Sequence, residues 1–439
     1  MPTSDLRARL QRLRLQKVKR ELPPSVSPAA LKPRPAPSAP ARLPGQERVT
    51  ASGVFQLIEN AYPLVYAHGL WPLAAWLERD ASITARLVHP EPPADLDLRS
   101  LAFVDIETTG LAGGTGTLPF LVGVGTYTGE QFVLRQYFMR DPAEEAGVLN
   151  QLVSDLAPAA GWVTFNGRAF DLPILETRLT LNRQHGALGQ RPHLDLLPLA
   201  RRLYRGRLPS CALNDLEKHI LRVTREQDDV PGELIPQMYL DYLRTGDASD
   251  MRRVIYHNAI DILSMVTLGA HLLDAFATPL ETPSPPARVQ RSQTPADDPR
   301  TPSQNQKPEI VLRLGGWHED QGRPETAEAA YRLALGSQLD LEDRRLGLTR
   351  LAALLKRTNR RAEAAPLWEQ LASFSTDDAA PFVELAKFYE WHALDLEQAV
   401  AWTKRALKVV AGWPDDWHKA ETKTELEHRL ERLKGKARE

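Results

Sequence analysis

The chain has 439 residues, too many for one ordinary core, so two or three domains are expected, and 42% hydrophobic residues support sizeable cores. A net charge of −1 excludes binding by bulk positive charge, so any contact with nucleic acid must come from local patches. The single cysteine, Cys211, excludes an internal disulfide framework or a cysteine-built zinc site. With no apolar signal-peptide core and no apolar run long enough for a bilayer, a cytoplasmic location without membrane contact is expected.

Residues 1–48 read as an arm outside any core. Its first part interleaves Leu6, Leu10 and Leu13 with Arg7, Arg9, Arg12 and Lys17, either a solvated basic segment or one that touches phosphate. Its second part is dominated by prolines from Pro23 to Pro44, which lack the amide donor and resist packing. The main domain is expected over 49–278. Leu101–Glu107 reads as a buried strand, Leu118–Thr126 as a second and Gln131–Met139 as a third, joined by a turn at Tyr127–Glu130 into a meander. Asp141–Pro142 opens a helix. Trp162–Phe165 is a fourth strand, a helix runs from Asp171 to about Arg183, and a short fifth strand precedes a helix over Leu194–Tyr204. Leu213–Phe276 is mainly helical, so the domain is a mixed sheet covered by helices.

Residues 279–308 form a second polar, proline-rich linker, which should let the parts on either side fold separately. Over 309–439, Ala327–Tyr331–Ala334–Leu335 recurs as Ala364–Trp368–Leu371–Ala372 and again as Ala399–Thr403–Ala406–Leu407, at offsets of 37 and 35 residues. Small and large apolar residues at this spacing lie on one helix face and let helix pairs stack. The pattern resembles the tetratricopeptide repeat, although it is degenerate, Pro366 falls inside the second copy, and a plain helical bundle is the alternative.

Three acidic blocks carry the chemistry. Asp105 and Glu107 are two apart at the end of a strand and so point to the same side, while Ile106 faces the other. Unpaired acids there are costly to bury, and a divalent cation resolves the cost, since carboxylate oxygens suit magnesium or manganese. Asp171 follows a strand and the turn Asn166–Gly167; alone it would read as an ordinary helix cap. Asp261 sits in a helical segment four residues after His257, so these two share a helix face.

In this order the blocks resemble the three motifs of the DEDD exonucleases of the ribonuclease-H-like superfamily. The stretches GLAGGTGTLPFLVGVG, LPSCALNDLEKHIL, IPQMYLDYLRTGD and YHNAIDILSMVTL are closer still to its YprB-like subfamily, over about Ser100 to Leu273. The resemblance implies a ribonuclease-H-like α/β domain with a separate all-α repeat domain, and a phosphodiesterase with two Mg²⁺ or Mn²⁺ ions held by Asp105, Glu107, Asp171 and Asp261. It also implies substrate contacts at Thr108, Leu111 and Asn166. The expected activity is 3′–5′ hydrolysis of DNA or RNA, with a protein or peptide on the repeats. An endonuclease on the same metals and a non-catalytic scaffold are the alternatives, and four intact acids favour the enzyme.

One departure concerns the base. The resembled groups place a His five residues, or a Tyr four residues, before the last Asp; here Tyr256 is five before and His257 four before. On an ideal helix four back lies about 40° from Asp261 and five back about 140° away, which favours His257 as catalytic base over Tyr256. Asp195 reads as a cap or structural carboxylate that could also approach the site. Arg201, Arg202, Arg205 and Arg207 form a basic cluster that is either a phosphate contact or a solvated face. The glycines at Gly113–Gly116 supply a turn and not a phosphate loop.

Overall fold

The computed structural model describes residues 42–436, apart from 94, 111–115, 185, 187, 226–228 and 278–306. The basic arm, the second proline-rich linker, Leu111 and Gly113–Thr115 lie outside the described residues.

A seven-stranded sheet runs through the first half in the order β1-β2-β7-β6-β5-β8-β9. The meander consists of β5 (Leu101–Thr108), β6 (Pro119–Thr128) and β7 (Gln131–Phe138). On the other side of β5, β8 (Gly161–Thr164) runs parallel to it and β9 (His193–Asp195) parallel to β8, so the sheet is mixed. Two outer strands, β1 (Gln46–Thr50) and β2 (Gly53–Pro63), pair antiparallel and dock on β7. Neither strand was expected from the sequence, and β1 begins inside the segment read as a proline-rich arm. β3 (Ala67–His68) and β4 (Trp71–Pro72) form a separate small hairpin.

Alternation along β5 divides the core. Ala102, Val104 and Ile106 face a cluster with Val148, Leu152 and Leu175, contributed by the helices Glu145–Leu156 and Asp171–Leu181. Phe103 faces the other cluster, with Phe132 and with Ile262 and Val266 of the long helix Ser249–Ala277. That helix can approach because β6 carries glycines on the facing side. A Cβ on Gly123 would stand 2.3 Å from Asn258 Oδ1, and one on Gly125 would stand 2.8 Å from Ile262 Cγ2. The same helix corrects the expectation of no span-length apolar run. It contains an 18-residue stretch of mean hydropathy 1.5, but 83% of that stretch is buried in the protein core.

The second half is all-helical and built of pairs: Pro308–Asp320 with Pro324–Leu335, Leu341–Arg357 with Arg361–Phe374, and Ala380–Trp391 with Leu396–Ala411, followed by Trp417–Lys436. The recurring residues fall in the second helix of each pair. Ala327, Tyr331 and Ala334, then Ala364, Trp368 and Leu371, then Ala399, Thr403 and Ala406 are all buried.

The two halves share a core. Ile310, Leu314 and Trp317 belong to the same buried cluster as Leu203 and Phe276, and the Trp317 ring meets Phe276 edge-on at 4.9 Å. Around this contact Arg202 pairs with Asp320 at 2.6 Å, and Arg207 with Asp343 at 2.6 Å and Asp340 at 2.8 Å. Arg202 and Arg207 therefore do not form a purely solvated face; they bind acids of the helical half. If the shared core matters, Trp317→Ala will cost about 3–5 kcal/mol in urea unfolding, the usual range for truncating a buried Trp. Two separate transitions, with the first unchanged by the substitution, would instead mean independent halves.

His271 is buried on the long helix, with Nε2 2.6 Å from the Tyr204 hydroxyl, and burial, aided by Arg79, pushes its pKa down to about 4. In the unfolded chain the ring titrates near ~6.5, so between these values only the unfolded state takes up the proton. Stability conferred by the neutral ring is complete above ~6.5 and is lost as pH falls towards about 4. Melting curves from about pH 7 to about pH 5 should show a falling Tm, with a shallower slope in His271→Gln.

Candidate active site

The end of β5, the turn after β8 and the middle of the long helix converge on one face of the sheet. Phe103, Asp105 and Glu107 share that face by strand alternation. Asp105 is held by Asn258, whose Nδ2 donates to Asp105 Oδ2 at 2.8 Å and to its main-chain oxygen at 3.3 Å. Asn258 is fully buried, and its own Oδ1 accepts from Gln136 Nε2 at 2.8 Å, which extends the network to β7. Gly123 gives Asn258 the room to reach β5.

Asp171 begins a helix but is not a simple cap, since its Oδ1 accepts the Ile106 N–H at 3.0 Å, between the two β5 acids. The turn that delivers it is set by Asn166, with φ of 68°, the left-handed region that Asn tolerates. Asp195 accepts from the N–H groups of Asn166 at 2.8 Å and Arg168 at 3.2 Å, and it also caps the next helix through Leu197. It is a structural carboxylate that supports the turn. Thr108 is buried, and its hydroxyl donates to the Gly110 carbonyl at 2.7 Å, so that hydroxyl is already engaged.

Asp261 and His257 arrive on adjacent turns of the long helix. His257 Nε2 stands 3.6 Å from Asp261 Oδ2 and 3.9 Å from Glu107 Oε1. Behind them lies Arg225, which the sequence alone did not single out. Its guanidinium donates to both oxygens of Glu217, each at 2.6 Å, and also bonds Asp261. Glu217 reaches it from a π-helical turn, Glu217–Leu221, within one of the blocks that carried the resemblance. Asp229 bonds His257 Nδ1 at 2.7 Å.

Crowding of like charge dominates the electrostatics. Burial, then Asp261, Asp171 and Glu107, hold the Asp105 carboxyl well above the usual range. Burial lifts Glu107 to about 8 despite the opposing His257 charge, and lifts Asp171 to about 7. Burial disfavours the His257 cation, but the Asp229 hydrogen bond and the charges of Asp261 and Glu107 outweigh it and raise the pKa. Among the described residues, no three Asp, Glu, His or Cys side chains close round one point in ligand geometry. Separate tethers hold three of the four acids: Asn258 for Asp105, the Ile106 N–H for Asp171, Arg225 for Asp261. The donor set still fits a hard divalent cation, because it is all carboxylate and its mutual repulsion is only partly offset by Arg225.

A family model described as RNase_H superfamily matches residues 102–273, the span that holds all four acids, His257 and Arg225. Enzymes of that superfamily generally use divalent metals. Over most of its length, that span included, the chain is similar to the uncharacterized protein YprB of Bacillus subtilis (strain 168), with 28% identity over 386 residues, covering 86% of this chain and 85% of that protein.

Gly123 supplies a test of the Asn258 support. Gly123→Ala puts a methyl against the Asn258 amide, so it should cost about 1–3 kcal/mol as overpacking does. It should also weaken Mn²⁺ binding by releasing Asp105; unchanged affinity and unfolding midpoint would remove Asn258 from the support of the site.

Proposed function

We propose that this chain hydrolyses phosphodiester bonds of nucleic acid with divalent metal, most specifically as a 3′–5′ exonuclease. The observation that carries the reading is His257 Nε2, which lies within 4 Å of both Glu107 and Asp261 at a cluster that also holds Asp105 and Asp171. Asp105, Glu107 and Asp261 would hold one ion, and Asp105 with Asp171 the second. Bound Mg²⁺ or Mn²⁺ supplies Lewis-acid stabilisation of the charge that builds on the phosphoryl oxygens. His257 receives a proton of the attacking water as its oxygen bonds to phosphorus, and the bond from phosphorus to the departing sugar oxygen breaks, that oxygen taking up a proton from solvent water. Glu107 and Asp261 stabilise the imidazolium so formed. Asn258 and the Ile106 N–H keep Asp105 and Asp171 in place as charge changes.

We infer that the helix pairs of the second half are tetratricopeptide-like, in keeping with their pairing and the register of Ala327, Ala364 and Ala399, with a peptide or protein as the ligand class.

End-labelled single- and double-stranded DNA and RNA, incubated with the full chain and Mg²⁺ or Mn²⁺, test the reading. Labels at the two ends separate stepwise 3′ digestion from internal cuts. His257→Ala should keep Mn²⁺ binding and lose roughly 10²–10⁴-fold in kcat, the usual span for general acid–base catalysis, while Tyr256→Phe costs much less. Asp105→Asn should abolish Mn²⁺-induced stabilisation in melting curves. Hydrolysis that survives Asp105→Asn, or no Mn²⁺ binding by the wild type, would sink the assignment.

A further inference from the structure

His257 Nδ1 has two neighbours that make opposite demands. Asp229 Oδ1 lies 2.7 Å away and Arg225 Nη1 lies 3.0 Å away. A carboxylate only accepts and a guanidinium only donates, so one nitrogen cannot serve both. The Asp229 contact is the shorter and joins a charged acceptor to the ring N–H. Arg225 Nη1 also stands 3.4 Å from Asp229 Oδ2, so its closeness to the ring follows from its attachment to the same carboxylate. Nδ1 therefore carries the hydrogen.

We propose that Asp229 is a positioning residue that fixes the tautomer and orientation of His257 and leaves the Nε2 lone pair directed at the gap between Glu107 and Asp261. The inference rests on the hydrolytic reading above. Nδ1 and Nε2 lie on opposite edges of the ring, which places Asp229 away from the carboxylate cluster and outside its ligand set. The position of Asp229 is fixed from three sides. Its main-chain oxygen accepts from Arg253 Nη2 at 3.1 Å, one helical turn before His257. Its side chain meets the imidazole and Arg225, and Arg225 is itself anchored by the buried Glu217. With both Nε and Nη2 of Arg225 on Glu217, Nη2 also on Asp261 and Nη1 on Asp229, the guanidinium is occupied on every side and acts as a clamp.

The experiment uses the full chain with ¹⁵N-labelled histidine, at a pH above the titration of His257, with the resonances assigned by their loss in His257→Ala. The wild type should show protonated Nδ1 and unprotonated Nε2. Asp229→Asn should move the ring towards the Nε2–H form and lower kcat by about 10–100-fold, the usual cost of losing a partner that orients a histidine, with KM and Mn²⁺ affinity unchanged. Asp229→Glu should restore much of the wild-type signature. In a His257→Ala background Asp229→Asn should cost nothing further. A wild-type ring found mainly as Nε2–H overturns the proposal, and so does an Asp229→Asn protein with unchanged spectrum or unchanged kcat. If Asp229→Asn fails to fold by melting curve, the wild-type and Asp229→Glu spectra still decide. Absence of nuclease activity in the wild type defeats the hydrolytic reading instead, and the tautomer is read without it.

Discussion

Several carboxylates crowd one end of a buried strand, and the rest of the site is organised around keeping them there. Left alone, like charges at this depth would take up protons or force the strand end into water. Three of the four acids instead have their own tether: a side-chain amide on Asp105, a main-chain N–H on Asp171, a guanidinium on Asp261. The tethers come from different elements, so the cluster persists only if β5, the turn after β8 and the long helix are all in register. The geometry is thus a property of the whole sheet and its covering helix.

The long helix Ser249–Ala277 serves both stability and chemistry. Its later turns are apolar and fill the core against Phe103 and Phe132, while the turn from His257 to Asp261 is polar and faces the β5 acids. Glycines on β6 set how closely that polar turn can come. A bulkier strand would separate Asn258 from Asp105 before it disturbed the apolar packing further along, which makes Gly123 as much a part of the site as the residues that bear charge.

Much of this was legible in the sequence because it is written in local periodicity. The run Leu101–Glu107 is apolar except for two acids two residues apart, which announces both a buried strand and the face its acids share. The four-residue spacing of His257 and Asp261 announces one helix face, and the same reasoning would have found Asn258, three residues before Asp261. The recurring small and large positions likewise foretold one buried face on the helices that carry them. What was not legible depends on distant partners. β1 and β2 are strands only because β7 offers an edge, and β1 starts where prolines had suggested an extended arm. Arg225, Asp229 and Glu217 lie in segments whose local pattern is silent about helix partners 28 or more residues away in sequence and about β5 acids more than a hundred away. The ion pairs of Arg202 and Arg207 were hidden for the same reason.

The shared cluster of Phe276 with Trp317 has a consequence for biosynthesis. When a ribosome has released the chain through Ala277, every strand of the sheet has already been made, yet the apolar patch that receives Ile310, Leu314 and Trp317 is still wet. It stays so until the proline-rich stretch and a further helix have followed. During that interval the nascent domain presents a sticky surface suited to a chaperone or to a neighbouring nascent chain, and the helix Pro308–Asp320 closes it in cis. The linker length thereby sets a delay between completion of the sheet and completion of the core, one that translation speed across that stretch can lengthen or shorten.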